Sequence, residues 1–322
     1  MTHMARLTLG AIVAMLAIDA TAAPTFQLQW GSAGSGAGQF QEPWGIAADE
    51  AGAVYVTDRF NARVQKFDPH GAYLAMWGTP GTGPGEFNLP EAVDAQGGRV
   101  YVAGHDQRIQ IFTSAGAFIT AWGNGLGSEV GQLEDPHGVS VDALGRCYVA
   151  DEQNYRIQRF EADGTVGLVW GSFGSGPGQF DRALGVVVND ATNEVYVSDW
   201  ENSRIQKFDG NGNFVTAWGS HGSGDGQFDA PRHLALDSAG NVYVVDMRNC
   251  RVQWFSSSGD FLGKWGTCGT GPGQFGMPYG IAISPDGSIY VSDINTNRIQ
   301  KFAFPAVSVE KRHWGAVKAL YR

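Results

Sequence analysis

Six times along the chain a glycine-rich segment of the form Gly-Gln-Phe-x-x-Pro, or a close variant, hands over to an apolar run. The residue after its last position differs each time: Trp44, Glu91, His137, Leu184, Arg232 and Tyr279, with Ala183 replacing the proline in the fourth copy. A second varying set follows a recurrent aspartate and reads Arg59, His105, Glu152, Trp200, Met247 and Ile294. Rings, carboxylates, guanidiniums and imidazoles gathered at one rim would form a binding mouth for a polar or aromatic group. Positions that vary on a repeated scaffold are where discrimination between ligands can reside.

A sharper chemistry would be metal-assisted, because three convergent imidazoles can hold zinc with a position left open. His137, His105 and His233 are the candidate ligands and Glu91 a companion, with Tyr279 and Arg232 as acid/base or oxyanion helpers. His233 is displaced by one residue in Arg232-His233-Leu234, and strand alternation predicts that this displacement turns it to the opposite face from His137. His221, in a connector, is a further imidazole for the same rim. Calcium is the other cofactor considered: Asp209-Gly210-Asn211-Gly212-Asn213 has the oxygen spacing that opens a calcium loop, but no acidic residue closes it, and the same residues make a good hairpin turn. There is no Gly-x-Ser-x-Gly elbow, His-Glu-x-x-His pair or lysine-terminated phosphate loop.

The elements that must position these residues recur as well. Arg-x-Gln-x-Phe begins at Arg63, Arg108, Arg156, Arg204, Arg251 and Arg298 (with Val or Ile at the second position), and Trp-Gly begins at Trp30, Trp77, Trp122, Trp170, Trp218 and Trp265. Both series step by 45 to 48 residues, the length of a four-stranded propeller blade. In the first copy an inner strand runs from Gly45 to Asp49, a second from Val54 to Val56, a third carries Arg63 to Phe67, and an outer strand ends at Trp77-Gly78. Asp-to-Arg pairs such as Asp199 and Arg204 recur across the bend between the second and third strands, so they read as structural contacts. The second copy departs, with Gly104 at the aspartate position and His105-Asp106 after it.

After Phe302 the sixth outer strand is missing, whereas Phe26-Gln27-Leu28-Gln29-Trp30-Gly31 has that pattern and precedes the first inner strand. The expected fold is therefore all-β: a six-bladed β-propeller of four-stranded antiparallel blades whose ring is closed by the N-terminal strand, leaving no exposed edges. Its expected limits are residues 24–303, with a C-terminal tail at 304–322.

A formal charge of -10 argues against a surface that tracks phosphates, so nucleic acid is not expected as a partner. Residues 1–23 combine Arg6, an apolar stretch from Leu7 to Ile18 and Ala20-Thr21-Ala22, the pattern of a cleaved export signal. No membrane insertion is expected once it is removed, and the mature protein is expected to be secreted or periplasmic and monomeric. Of three cysteines, Cys147 falls in a strand, whereas Cys250 and Cys268 fall in connectors of one face, where a disulfide is compatible with an oxidising compartment.

The units VYVSDWENSRIQKF and VYVVDMRNCRVQWF, joined by GSGDGQFDAP and GTGPGQFGMP, resemble NHL repeats over almost the whole chain after residue 23. The resemblance implies the six-bladed fold. It leaves function wide, since such propellers include interaction modules, sensors, RNA-binding domains and a few enzymes. Pro136-His137-Gly138-Val139 is similar to one segment of the peptidyl-hydroxyglycine lyases, which hold zinc through three histidines from different blades. Two functions are thus expected in order: a module binding a peptide, glycan or protein partner through its top-face loops, or a metal-dependent lyase or hydrolase at the channel mouth.

Overall fold

The computed structural model describes residues 22–305, so nearly all of the export-signal segment, and residues 306–322 of the tail, lie outside the described residues. The first blade runs outward from the channel as Pro43–Ala48, Val54–Asp58, Arg63–Phe67 and Tyr73–Trp77, all antiparallel. Alternating Val, Tyr, Ile and Phe suit the pleat, and local chemistry makes the turns. Asp49 Oδ1, for example, accepts from the Ala51 and Ala53 amides, closing the hairpin around Gly52. Four further blades repeat the plan.

The sixth blade takes Pro278–Ile283, Ile289–Asp293 and Arg298–Ala303 from the end of the chain and its outer strand, Thr25–Trp30, from the beginning. Thr25 lies opposite Ala303 and Trp30 opposite Ile299, so the seam is an ordinary antiparallel ladder. The structure thus has the expected fold and closure.

The core lies between blades rather than within them. Each outer-strand tryptophan packs on the phenylalanine that ends the third strand of the next blade: Trp30 on Phe67, Trp77 on Phe112, Trp122 on Phe160, Trp170 on Phe208, Trp218 on Phe255 and Trp265 on Phe302. In the five blades whose outer strand follows the third by a hairpin, the indole of the preceding blade also lies against the hairpin glycine. A Cβ on Gly71, at φ +80°, would fall 2.7 Å from the Trp30 ring, so glycine is required there by both conformation and space.

The recurrent aspartate organises each connector. Asp199 Oδ2 accepts from Arg204 Nε at 2.8 Å and from Gln206 Nε2 at 3.2 Å, while Oδ1 accepts from the Asp181 amide at 2.9 Å. Arg204 in turn donates to the Ser175, Gly176 and Gln179 carbonyls of the glycine-rich segment. Five blades use the aspartate that ends the second strand. In the second, the span from Gly104 to Arg108 is one residue shorter than Asp58 to Arg63, and Asp106 serves Arg108 and Gln110 instead.

Cys250 and Cys268 are bonded, tying the bend of the fifth blade to the connector leading to the sixth, and Cys147 is free and buried. Asp209 Oδ1 accepts from the Asn211 and Asn213 amides and Oδ2 from the Asn213 side chain, so the calcium-like stretch is a hairpin turn. Among the described residues no helix is long and apolar enough to cross a membrane.

Two outcomes follow. Asp199→Ala strands the Arg204 guanidinium and should lower unfolding stability by about 3–5 kcal/mol in chemical denaturation. Removing Thr25 to Gly31 bares the edge of Arg298–Ala303; the truncated chain should oligomerise or lose more than about 10 °C in Tm, read by size-exclusion chromatography and calorimetry.

Candidate functional site

The varying side chains meet where the inner strands begin, and a bulge puts them there. In every inner strand the ladder slips just after the connector, as between Pro136 and Gly138 and between Pro231 and Leu234. An extra residue in one strand breaks simple alternation and re-aims its neighbours. The inner strands are also drawn together: Thr57 Oγ1 donates to the Glu91 carbonyl at 3.0 Å and Ser292 Oγ to the Trp44 carbonyl at 2.6 Å, each linking adjacent blades. The position two after the proline is glycine in four copies. A Cβ on Gly138 would lie 2.2 Å from the Leu184 carbonyl oxygen, which shows how closely the strands approach.

One side of the mouth is acidic. Glu91, only 1 % exposed, receives Arg59 Nε at 2.8 Å and His105 Nε2 at 3.1 Å on Oε1. Asp135 Oδ1 stands 3.0 Å from the same His105 nitrogen without accepting a hydrogen bond, and Glu91 Oε2 is likewise buried without a donor. The Asp135 carboxylate and then that of Glu91 hold His105 as imidazolium, pushing its pKa up to about 10. The Arg59 guanidinium sits over the Trp44 ring, 4.3 Å from its centroid.

The centre is aromatic and neutral. Tyr279, fully buried, packs on Trp44 with ring centroids 4.0 Å apart and planes tilted by 45°. Its hydroxyl accepts from Arg232 at 3.0 Å and lies 2.8 Å from His137 Nε2, to which it donates when that nitrogen is unprotonated. Burial, followed by the Arg232 charge, drives the His137 pKa far down and keeps the ring neutral; burial likewise takes His233 down to about 4. Both rings lack one partner: His137 Nδ1 and His233 Nε2 are buried without hydrogen bonds.

The other side is cationic around one indole. Arg232 and Arg182 sit 4.4 and 4.9 Å from the Trp200 centroid, and Arg248 is at 5.7 Å. Arg182 also reaches Glu152 at 3.4 Å. Burial first, then the nearby Asp135 charge, pushes Glu152 up to about 7. Beneath the mouth the inner strands leave a cavity of ≈ 200 Å³ lined mostly by small aliphatic residues, with His233 and Asp94 among its polar walls.

Several expectations are corrected. His233 does not face away from His137: the ring centroids are 6.0 Å apart, because the bulge cancels the alternation on which that expectation rested. The three candidate zinc ligands nonetheless do not share a centre. His105 is held between carboxylates, His137 Nε2 is engaged by Tyr279, and the grouping of ligand atoms that the described residues offer is Glu91, His105 and Asp135. His221 is exposed in a connector. Met247 is buried with Tyr279 and Ile294 in an apolar cluster against which Trp44 and Trp200 pack, so it supports the mouth rather than lining it; Leu184 is buried too. Sequence reasoning missed Asp135 and Arg182. They occupy the position just before the connector's last residue, in left-handed conformation at φ 58° and 69°, which brings their side chains to the rim. That column (Glu42, Leu89, Asp135, Arg182, Ala230, Met277) varies as much as the one two residues on, which was a usable signal.

Residues 40–67, 133–160, 180–208 and 275–302 match the NHL repeat family. The peptidylglycine alpha-amidating monooxygenase of Rattus norvegicus is 33% identical over 142 residues, covering 40% of this chain and 14% of that protein. Protein brain tumor of Drosophila melanogaster is 28% identical over 145 residues, covering 44% of this chain and 13% of that protein. The chain thus spans only about a seventh of either relative. A structural genomics protein of unknown function from Bacteroides thetaiotaomicron superposes with a TM-score of 0.69 at 20% identity over 88% of this chain and 76% of that one, a likeness of fold alone.

The Glu152 shift has a testable sign. Its folded pKa of about 7 lies above the ordinary 4.5, so the folded state holds its proton more tightly. This contribution is fully present below pH 4.5 and lost as pH rises through 7. Glu152→Gln cannot ionise and escapes the loss: its Tm should match the wild type near pH 4 and exceed it by a few degrees at pH 8, read by scanning calorimetry.

Proposed function

We propose that this chain, an NHL-repeat six-bladed β-propeller, is an interaction module that takes a peptide or a segment of a partner protein at its channel mouth. One observation carries the reading: positions that the repeat makes equivalent hold six unlike side chains, and five of them, Trp44, Glu91, His137, Arg232 and Tyr279, are joined by direct contacts with polar atoms left unpartnered. Trp44 Nε1, His137 Nδ1 and Arg232 Nε are buried without hydrogen bonds. Buried polar groups are normally paired, so a rim that keeps several open is suited to a guest that supplies the missing partners.

The chemistry indicates the kind of guest. Trp200 with Arg182, Arg232 and Arg248 around it forms a flat apolar platform edged by guanidiniums. It would seat a segment that combines an apolar or aromatic side chain with a carboxylate, since guanidiniums bind carboxylates in fixed, often bidentate geometry. Arg and Trp are also the residue types that dominate interface energetics. A lyase or hydrolase built on His137, His105 and His233 is the weaker reading, because each imidazole already serves a different set of neighbours. Export to the periplasm or medium belongs to the same proposal, supported by the signal-like segment at residues 1–23 and the Cys250–Cys268 bond. The folded unit is proposed to act as a monomer, its sixth blade completed by the N-terminal strand and its remaining sheet edges confined to short strands.

The test is to pan a phage-displayed random dodecapeptide library on the purified protein and measure enriched peptides by fluorescence anisotropy. Arg232→Ala and Trp200→Ala should each weaken binding by about tenfold or more, whereas Leu144→Ala, at an exposed hairpin, should leave it unchanged. Equal affinity for all four proteins, or no enrichment, would overturn the proposal.

A further inference from the structure

The acidic side of the mouth carries a second feature, independent of the partner reading. Glu91, His105 and Asp135 each offer a ligand atom, and these atoms lie within 4.8 Å of one another. His105 Nε2 is 3.1 Å from Glu91 Oε1 and 3.0 Å from Asp135 Oδ1. Ligand atoms about 2.0–2.1 Å from a tetrahedral ion lie about 3.3 Å apart, so the spacing needs only slight expansion. The second observation is one of deficit. Glu91 is 1 % exposed and its Oε2 has no donor, and Asp135 Oδ1 is also buried without one. Asp135 Oδ1 faces the His105 ring at 3.0 Å and Glu91 Oε2 faces His137 Nε2 at 3.6 Å, and buried carboxylate oxygens without donors are costly unless a further positive group completes the site.

The supports of the cluster point the same way. Arg59 holds Glu91 from outside, and Gln107 Oε1 accepts from the Asp135 amide at 2.7 Å, fixing the left-handed bend that delivers its carboxylate. His105 is present because the bend of the second blade is one residue shorter and the structural aspartate has moved to Asp106. That departure from the repeat places an imidazole between two acids. A metal would replace the His105 proton, and two carboxylates against one Arg59 guanidinium then leave a net negative site for a dication.

We propose that Glu91, His105 and Asp135 bind a divalent cation that accepts both nitrogen and oxygen ligands, Zn²⁺ foremost, at the rim of the mouth, with the remaining coordination open to water or to an oxygen of the guest. One imidazole and two carboxylates are too oxygen-rich for a thiophilic metal. The single nitrogen favours zinc over calcium.

The experiment titrates the purified chelator-treated protein with Zn²⁺ by calorimetry, and with Co²⁺ by visible absorption, at one fixed pH. Expected are one ion per chain, a Tm raised by Zn²⁺ and d–d bands on Co²⁺ addition. Asp135→Asn and His105→Gln should each weaken binding about tenfold or more, and His221→Ala should not. Asp135→Asn is the conservative control for folding, and its metal-free Tm should stay within a few degrees of the wild type. Substoichiometric zinc, or zinc held equally tightly by Asp135→Asn and His105→Gln, would overturn the site. Failure here leaves the peptide-binding test untouched, since that test reads Arg232 and Trp200.

Discussion

The buried carboxylate at the end of the second strand is the contact on which the rest of the molecule depends. It accepts from an arginine and a glutamine of the third strand and from a backbone amide two residues ahead of the inner strand of the same blade. The arginine carries the constraint onward to the glycine-rich segment through three carbonyls. A buried charge that satisfies this many donors can occupy one geometry only, because any other leaves a donor or an oxygen dry. The connector, which has little apolar surface of its own, is therefore held by polar contacts, and with it the point at which each inner strand enters the channel.

This explains why the mouth can vary while the ring does not. Blades adhere through tryptophan, phenylalanine and glycine contacts near their outer edges, and connectors are fixed by Asp, Arg and Gln. Neither interaction involves the residues that face the channel entrance. Those residues lie outside both contacts and differ from blade to blade, giving an acidic side, a neutral aromatic centre whose Tyr279 also packs into the core, and a cationic side. The second blade shows the arrangement at its limit: its bend has lost a residue, Gly104 takes the aspartate's register, the carboxylate is resupplied from Asp106, and His105 between them stands at the rim.

The electrostatics of the mouth follow from its burial. His137 and His233 are kept neutral, whereas His105, on the other oxygen of the Glu91 carboxylate that faces His137, is kept charged because two carboxylates face it. Glu152 lies between these regimes, with Arg182 opposing the effect of desolvation. A set of titratable groups driven in different directions within one concave site is characteristic of binding and functional sites generally.

Much of this was legible in the sequence. The recurrence of Arg-x-Gln-x-Phe and Trp-Gly determined the blade count, and Phe26 to Gly31 out of order determined how the ring closes, since one strand pattern was missing at one end and present at the other. The column of Trp44, Glu91, His137, Arg232 and Tyr279 was readable as a mouth because it varied against a constant background. Which of those side chains meet was decided only by the tertiary structure. The bulge after each connector adds a residue that alternation cannot anticipate, so His233 came to lie beside His137; the left-handed bends brought in Asp135 and Arg182; and Met247 was drawn into the core. Repeats are a property of chain order, whereas convergence at a channel depends on how six blades, nearly 50 residues apart in sequence, are packed around one axis.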